Sequence, residues 1–401
     1  MLQTTDTFVA VVLGLCSHGL AVARALAAAS VPVRAVEKDM QLPGVGTAAV
    51  HKVHQVRDFS AENLLPELLA LRKELPAQAQ VVLFPINDDH VRLIGKHLNA
   101  LTPHFLVSWA PCAELVLELL NKDALEAYCR DRGIDYPASL VFHAATAVAR
   151  GTAGLRFPLI IKPVRPLSSF KALIADDAAH LDRLLNRYQS DLPILAQDYI
   201  AGDDRSLYFV ALMLQDGQAL HAAVGRKLAS FPPAMGQTTV AETAHADAAM
   251  DIAHRFFAGT GLSGPASLEL KLDEAGRYWV IEPTVGRTDF WAALFIDAGF
   301  NLPLMEFQLA SGQTVVRPDR LLDCVWYDTE HAPLAYAGLV CATLSTRPLG
   351  KRQVFTYLHR HDWQPFMRAC WSFLGRSTRR LLGLRAAAPP AATQPARSVR
   401  P

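Results

Sequence analysis

The residues best able to do chemistry lie in one stretch, Ala266 to Thr284, where charged side chains alternate with leucines. Leu268, Leu270 and Leu272 interleave with Glu269, Lys271 and Asp273, so a strand here has one apolar and one charged face. A second strand sends Trp279 and Ile281 one way and Tyr278, Val280 and Glu282 the other. A two-residue turn at Ala275-Gly276 pairs Glu274 with Arg277 and, counted outward, sets Glu269 opposite Glu282. Opposed residues stand about 5 Å apart at Cβ, where two carboxylates repel. A divalent cation relieves that repulsion, and Mg²⁺ held by one or two carboxylates with substrate phosphates is its usual form. Thr284, two residues past Glu282, projects to the same face and offers a third oxygen. On pattern alone, a solvated hairpin whose acids pair with Lys271 and Arg277 stays open.

Other residues bear on the same chemistry. The apolar run Phe157-Pro158-Leu159-Ile160-Ile161-Lys162-Pro163 ends in a lysine, whose ammonium is costly to bury and belongs at a cleft that holds an anion. Asn121-Lys122-Asp123 opens a helix earlier in the chain, and Leu195 to Tyr199 is a strand running into Ile200-Ala201-Gly202 with Asp203, Asp204 and Arg205 after it. Near the N-terminus, Gly14-Leu15-Cys16-Ser17-His18-Gly19 joins a strand to a helix, and Glu37 closes the next strand as a ribose-binding acid would, so an NAD(P)-binding oxidoreductase competes. Cys16 stands where the second glycine of that fingerprint admits a pyrophosphate, and its side chain crowds the phosphates. Asn87-Asp88-Asp89-His90 follows a later strand at the edge where open α/β sheets bind ligands, although a solvated helix cap accounts for Asp88 equally. No G-x-S-x-G occurs, and His359 and His361 flank Arg360 without further zinc-ligand spacing.

These residues need elements to position them. Strands at Phe8–Leu15, Val31–Val36 and Val81–Phe84 alternate with helices at Leu20–Ala29 and Asp88–Leu98, the pattern of a parallel α/β sheet. From Leu140 onward the texture changes to short strands, an α+β unit with a mostly antiparallel sheet. The expected units are residues 1–107, 108–194, 195–318, a basic aromatic-rich extension at 319–384 and a disordered tail at 385–401.

In this order, the chain from Val9 to Phe307 resembles the ATP-grasp superfamily, most closely its carboxylate–amine ligases of the D-aspartate ligase or carbamoyl-phosphate-synthase-like type. The resemblance implies a Rossmann-like N-terminal domain followed by two ATP-grasp subdomains that clasp ATP between antiparallel sheets. It implies that Lys122 and Lys162 bind the nucleotide phosphates, that the backbone of Gln197, Asp198, Tyr199 and Ile200 reads adenine, and that Asp204 accepts from the ribose. Glu269 and Glu282 match the magnesium carboxylates, Arg226 and Lys227 resemble the cationic segment that meets the transferred phosphate or the acyl substrate, and Arg287 is counted with them as catalytic. The chain departs from the family at Thr284, where an asparagine is usual, and its arginine falls one residue late, at Arg287. The phosphate-covering segment from Val164 to Phe170 has no glycine, so serine hydroxyls with Arg165 or Lys171 would close it. The activity implied is an ATP- and Mg²⁺-dependent joining of a carboxylate to an amine or thiol through an acyl phosphate. A catalytically degenerate ATP-binding protein is the alternative on the same fold.

Composition sets the context. With 401 residues, 51% hydrophobic and 19% charged, the chain has the apolar content to fold as several packed units. Its six cysteines are dispersed with no C-x-x-C, and no signal peptide or spanning segment is evident, so a cytoplasmic protein is expected. Net charge is only +1, yet the segment from Lys351 onward holds ten Lys or Arg against one acid, Asp362. Phe355, Trp363, Phe366, Trp371, Phe373 and Leu374 interleave with Arg368, Arg376, Arg379 and Arg380, a helix that either packs on the body or lies on anionic lipid. Small-molecule carboxylate and amine substrates are the implied partners, with no nucleic acid; a homodimer and a peripheral membrane contact are admitted.

Overall fold

The computed structural model describes residues 8–145, 154–164, 169–170, 172–231, 236–329 and 350–381, with side chains of the last helix described to residue 372. The N-terminal unit runs β1 (Phe8–Leu13), α1 (Ser17–Ala28), β2 (Val33–Glu37), β3 (Lys52–Gln55), α2 (Ala61–Lys73), β4 (Gln80–Pro85), α3 (Asp88–Lys96) and α4 (Leu98–Leu101). Its four strands are parallel in the order β3-β2-β1-β4. Both faces of β1 are covered: Val9, Val11 and Leu13 enter one core while Ala10 and Val12 enter another, which is why the strand reads as an unbroken apolar run. The strand ends at Leu13, two residues before the expected end. Gly14 turns the chain at φ +108°, and a Cβ on Gly19 would stand 2.0 Å from the Gly14 carbonyl oxygen.

Helices α5 (Ala113–Leu119) and α6 (Leu125–Asp131) lead to a four-stranded sheet. It comprises β5 (Ser139–Phe142), β6 (Leu159–Pro163), β7 (Leu173–Ala175) and β8 (Ile194–Asp198), ordered β5-β8-β6-β7, with α7 (Ala178–Arg187) between β7 and β8 in the chain. The boundary expected at residue 195 is displaced. β8 pairs on both sides with β5 and β6, and its Ile194 and Ala196 fill the core of Leu159 and Ile161, so the strand stays with the first sheet.

The larger sheet has seven strands in the order β13-β12-β9-β10-β11-β14-β15. They are β9 (Leu207–Gln215), β10 (Gln218–Phe231), β11 (Gln237–Ala244), β12 (Gly264–Leu272), β13 (Tyr278–Val285), β14 (Cys324–Tyr327) and β15 (Arg352–Phe355). One face packs Val210, Leu212, Leu268 and Leu270 against α8 (Asp247–Phe257) and the core shared with α5 and α6. The other packs Phe209, Ala211 and Met213 against α9 (Ala292–Ala298) and α10 (Leu302–Ala310). The extension expected from residue 319 is not separate, because β14 and β15 complete this sheet.

The last helix, α11 (Gln364–Leu381), is tied to the N-terminal unit just before it starts. Asp362 is buried and accepts from Arg24 Nε (2.8 Å), Thr47 Oγ1 (2.5 Å) and the Ala48 amide (3.0 Å), while Arg24 also donates to the Thr356, Tyr357 and Asp362 carbonyls. Removing one partner of such a pair leaves a desolvated charge, at a cost of about 3–5 kcal/mol. Asp362→Ala is therefore expected to lower the urea midpoint steeply, and a midpoint near that of the parent protein would show that the pair does not hold the extension.

Candidate functional site

The two glutamates do face each other, though not through the turn the pattern suggests. Asp273 and Arg277 close a three-residue loop, with the Asp273 amide donating to the Arg277 carbonyl (2.9 Å) and Gly276 at φ +80°. Leu272 then pairs with Tyr278, Lys271 with Trp279 and Leu270 with Val280. A bulge leaves Ile281 unpaired, and Glu269 meets Glu282. The longer loop and the bulge shift the register in opposite senses and cancel. One consequence differs from the expected faces: Val280 enters the core with Leu270, whereas Glu282 turns to the other side.

That side is the wall of a cleft of about 210 Å³ between the four-stranded and the seven-stranded sheets. Lys122 and Lys162 line it with Glu269 and Glu282, together with Ile160, Tyr199 and Leu207. Two further cations enter it, Lys227 from β10 and Lys271 from β12. Lys122 Nζ lies 3.1 Å from Glu282 Oε2, and this charge raises the Lys122 pKa. Lys162 is pushed the other way by desolvation and by neighbouring Lys122. Glu269 is pushed up to about 7 by its recessed position and by the charge of Glu282. Lys271 is lowered by desolvation and by Lys227; its Nζ donates to the Gly202 carbonyl (3.0 Å) and sits 5.3 Å from the Tyr199 ring centre.

The remaining expected residues divide. Asp204 reaches Lys227 (2.9 Å) and Ser230 Oγ (2.8 Å), so it anchors the lysine. Gln197 is buried, the Asp198 amide donates to Ala138 and the Tyr199 amide to Pro158, which commits these positions to the sheet; Ile200 follows where the strand ends. Thr284 is buried, and its hydroxyl donates to Asp289 Oδ2 (2.9 Å), as does that of Ser267 opposite it (3.1 Å). Arg226 pairs in register with Tyr208 and Glu242, hydrogen-bonds Glu242 at 2.5 Å, and shares the face of Val224 and Val210, the reverse of the Glu269 face. Alternation explains this, since Lys227 next to it takes the cleft. Residues 165–168 and 171 of the covering segment lie outside the described residues, as do 232–235.

A second cluster joins the N-terminal unit to the chain after β13. Arg287 Nε donates to Asp88 Oδ1 (2.7 Å), and buried His18 bonds Ile86 O (3.0 Å) and Thr288 Oγ1 (2.8 Å). Burial and the nearby Arg287 lower the His18 pKa to about 3, so the ring is neutral. The cap of α3 is Asn87, which accepts the His90 amide (2.8 Å), and Asp88 is left to face Arg287. Glu37 is also spent: it accepts the amides of Leu15 (2.6 Å), Lys38 (2.8 Å) and Asp39 (3.0 Å) and is 2% exposed. The Gly14 turn is roofed by Gly44, whose Cβ position lies 2.0 Å from the Leu15 carbonyl oxygen. Glu37 is thus engaged by the protein's own amides at the position where a dinucleotide fold would offer an acid to the ribose. The sequence reading missed Lys271 and Asp289 as site residues. The first was legible as the cationic neighbour of Glu269 on the charged face of β12, while nothing local marked the second.

No protein-family model matches the chain, and no curated protein matches it. Solved structures do. An L-amino acid ligase from Bacillus licheniformis aligns at 18% identity and TM-score 0.61, over 79% of this chain and 78% of that one. An N5-carboxyaminoimidazole ribonucleotide synthetase in complex with ADP aligns at 10% identity and TM-score 0.66, over 87% and 91%. A biotin carboxylase from Campylobacter jejuni aligns at 11% identity and TM-score 0.61, over 79% and 74%. The fold is the ATP-grasp fold.

The Glu269 environment has a consequence for stability. A carboxyl whose folded pKa is raised contributes stability that is full below its unfolded value and lost as pH rises through its folded one, here about 7. Glu269→Gln never ionises, so its melting temperature relative to the parent protein should be higher at alkaline than at mildly acidic pH. A difference independent of pH would mean that Glu269 titrates as an ordinary carboxylate.

Proposed function

We propose that this chain is an ATP-dependent ligase that joins a substrate carboxylate to an amine through an acyl phosphate. The observation that supports it most is the opposed Glu269 and Glu282 inside a cleft that also holds the ammonium groups of Lys122, Lys162, Lys227 and Lys271. Lysines gathered around a recessed site suit a polyphosphate. The carboxylate pair is a hard-oxygen donor set whose internal repulsion already raises Glu269, and this fits Mg²⁺. Glu269 and Glu282 would hold the ion, which supplies neutralisation of phosphate charge when bound.

In this reading Lys122 and Lys162 bind the phosphates, with Lys122 released from Glu282 as the ligand arrives. Amide donors toward adenine move to Ile200 and the residues after it, because Asp198 and Tyr199 are committed to the sheet. Lys227, held by Asp204, takes the role expected of the Arg226-Lys227 pair. Arg287, at the junction with the N-terminal unit, is set to receive the substrate carboxylate. A carboxylate oxygen attacks the γ-phosphorus and the bond to the ADP oxygen breaks. The amine nitrogen then attacks the acyl carbon and loses a proton, and phosphate departs with the bonding electrons. Positioning and charge neutralisation supply the acceleration, and no protein nucleophile is required.

Purified protein screened with pools of amino acids and carboxylates should form ADP only when both a carboxylate and an amine are present. Lys162→Ala should reduce that rate by roughly a hundredfold or more while leaving the nucleotide-free melting temperature unchanged. MgATP at about 100 times its Kd should stabilise the protein by about 2.7 kcal/mol. Its affinity should fall as pH drops below about 7, because cation binding needs Glu269 ionised. Stabilisation by NAD and not by ATP would refute the reading, and ATP binding without turnover on any substrate pool would favour the degenerate alternative.

A further inference from the structure

The C-terminal helix carries a surface that the ligase chemistry does not use. Asp362 is locked to Arg24, Thr47 and Ala48, so the direction in which the chain enters α11 is imposed by the N-terminal unit. The Met367 amide donates to the Trp363 carbonyl (3.2 Å), so helical spacing begins at Trp363, and Trp363, Met367 and Trp371 fall four residues apart on one stripe. Pro365 is buried on the inner side, and Arg368 lies against Gly46. The stripe faces outward, with Trp363 60%, Met367 41% and Trp371 70% exposed, whereas no other tryptophan of the chain is exposed. Packing of the segment's aromatics on the body therefore does not account for these two.

Charge identifies what covers them. From Lys351 onward, ten Lys or Arg face a single acid, and that acid is Asp362, already spent on Arg24. Lys351 and Arg352 are paired with Glu242 and Asp297, but Arg376, Arg379 and Arg380 fall in the last turns of the helix, and Arg385, Arg397 and Arg400 follow in the sequence. Indole rings favour the headgroup level of a bilayer, and a cationic segment beside them is attracted by anionic lipid. No helix among the described residues is long and apolar enough to cross a membrane, so the contact is one of lying on the surface. We propose that α11 docks this protein on an anionic lipid surface, with Trp363, Met367 and Trp371 entering the headgroup region and the net positive charge of the C-terminal sequence favouring anionic lipid.

The test is flotation of the full-length protein with vesicles of phosphatidylglycerol mixed into phosphatidylcholine, against phosphatidylcholine alone. Binding to the anionic vesicles, weakened by salt and accompanied by a blue shift of tryptophan emission, is expected. The double variant Trp363→Ser with Trp371→Ser should partition about tenfold less, with its melting temperature unchanged. Equal binding to neutral vesicles, or undiminished binding of the variant, would overturn the proposal. So would a dimer, seen by light scattering, that the same variant dissolves while the parent protein ignores vesicles, since a second copy would then cover the stripe.

Discussion

Two carboxylates held side by side are the constraint on which the rest of this structure turns. Glu269 and Glu282 are forced together by a β-ladder whose other face is committed to the core, because Leu268 and Leu270 cannot leave it. Neither strand can slip by one residue without placing a glutamate among aliphatic side chains. The repulsion is offset within the fold by lysines that come from separate elements: the turn before α6, the end of β6, and strand β10, which β9 separates from β12. In the proposed reading, a cation on the glutamates and an anion on the lysines would replace the Lys122–Glu282 pair that the fold makes by itself.

The N-terminal unit has a different part. Its sheet edge meets the segment after β13 through His18 with Thr288 and Asp88 with Arg287. These contacts cross the junction between the α/β unit and the seven-stranded sheet, and they fix the position of the arginine relative to the cleft. A neutral His18 serves here as a hydrogen-bonding strut, which its burial and the adjacent guanidinium require. The turn that resembles a dinucleotide fingerprint is itself tied down, with Glu37 accepting its Leu15 amide together with those of Lys38 and Asp39.

Thr284, where the resemblance to the ATP-grasp superfamily leads to the expectation of an asparagine, is engaged within the fold. Its hydroxyl proton is spent on Asp289, as is that of Ser267, so both oxygens are fixed as acceptors beside the glutamate pair. Asp289 therefore organises two hydroxyls from five residues downstream of Thr284, where no motif draws the eye.

The alternation of apolar and charged residues over 266–284 determined that two acids would share a strand face, because side chains in a strand change sides at every residue. The near-continuous apolar runs determined the α/β character of the first hundred residues for an equally local reason, burial on both faces of a parallel sheet. What the alternation could not decide was register: the facing of Glu269 and Glu282 rests on an extra loop residue and an unpaired Ile281, which compensate only in three dimensions. Alternation likewise required that just one of Arg226 and Lys227 face the cleft, but strand order and burial chose the lysine. Tertiary packing alone joined β14 and β15 to the large sheet, gave Asp289 its hydroxyls and turned Trp371 outward, since each depends on contacts between segments far apart in the chain.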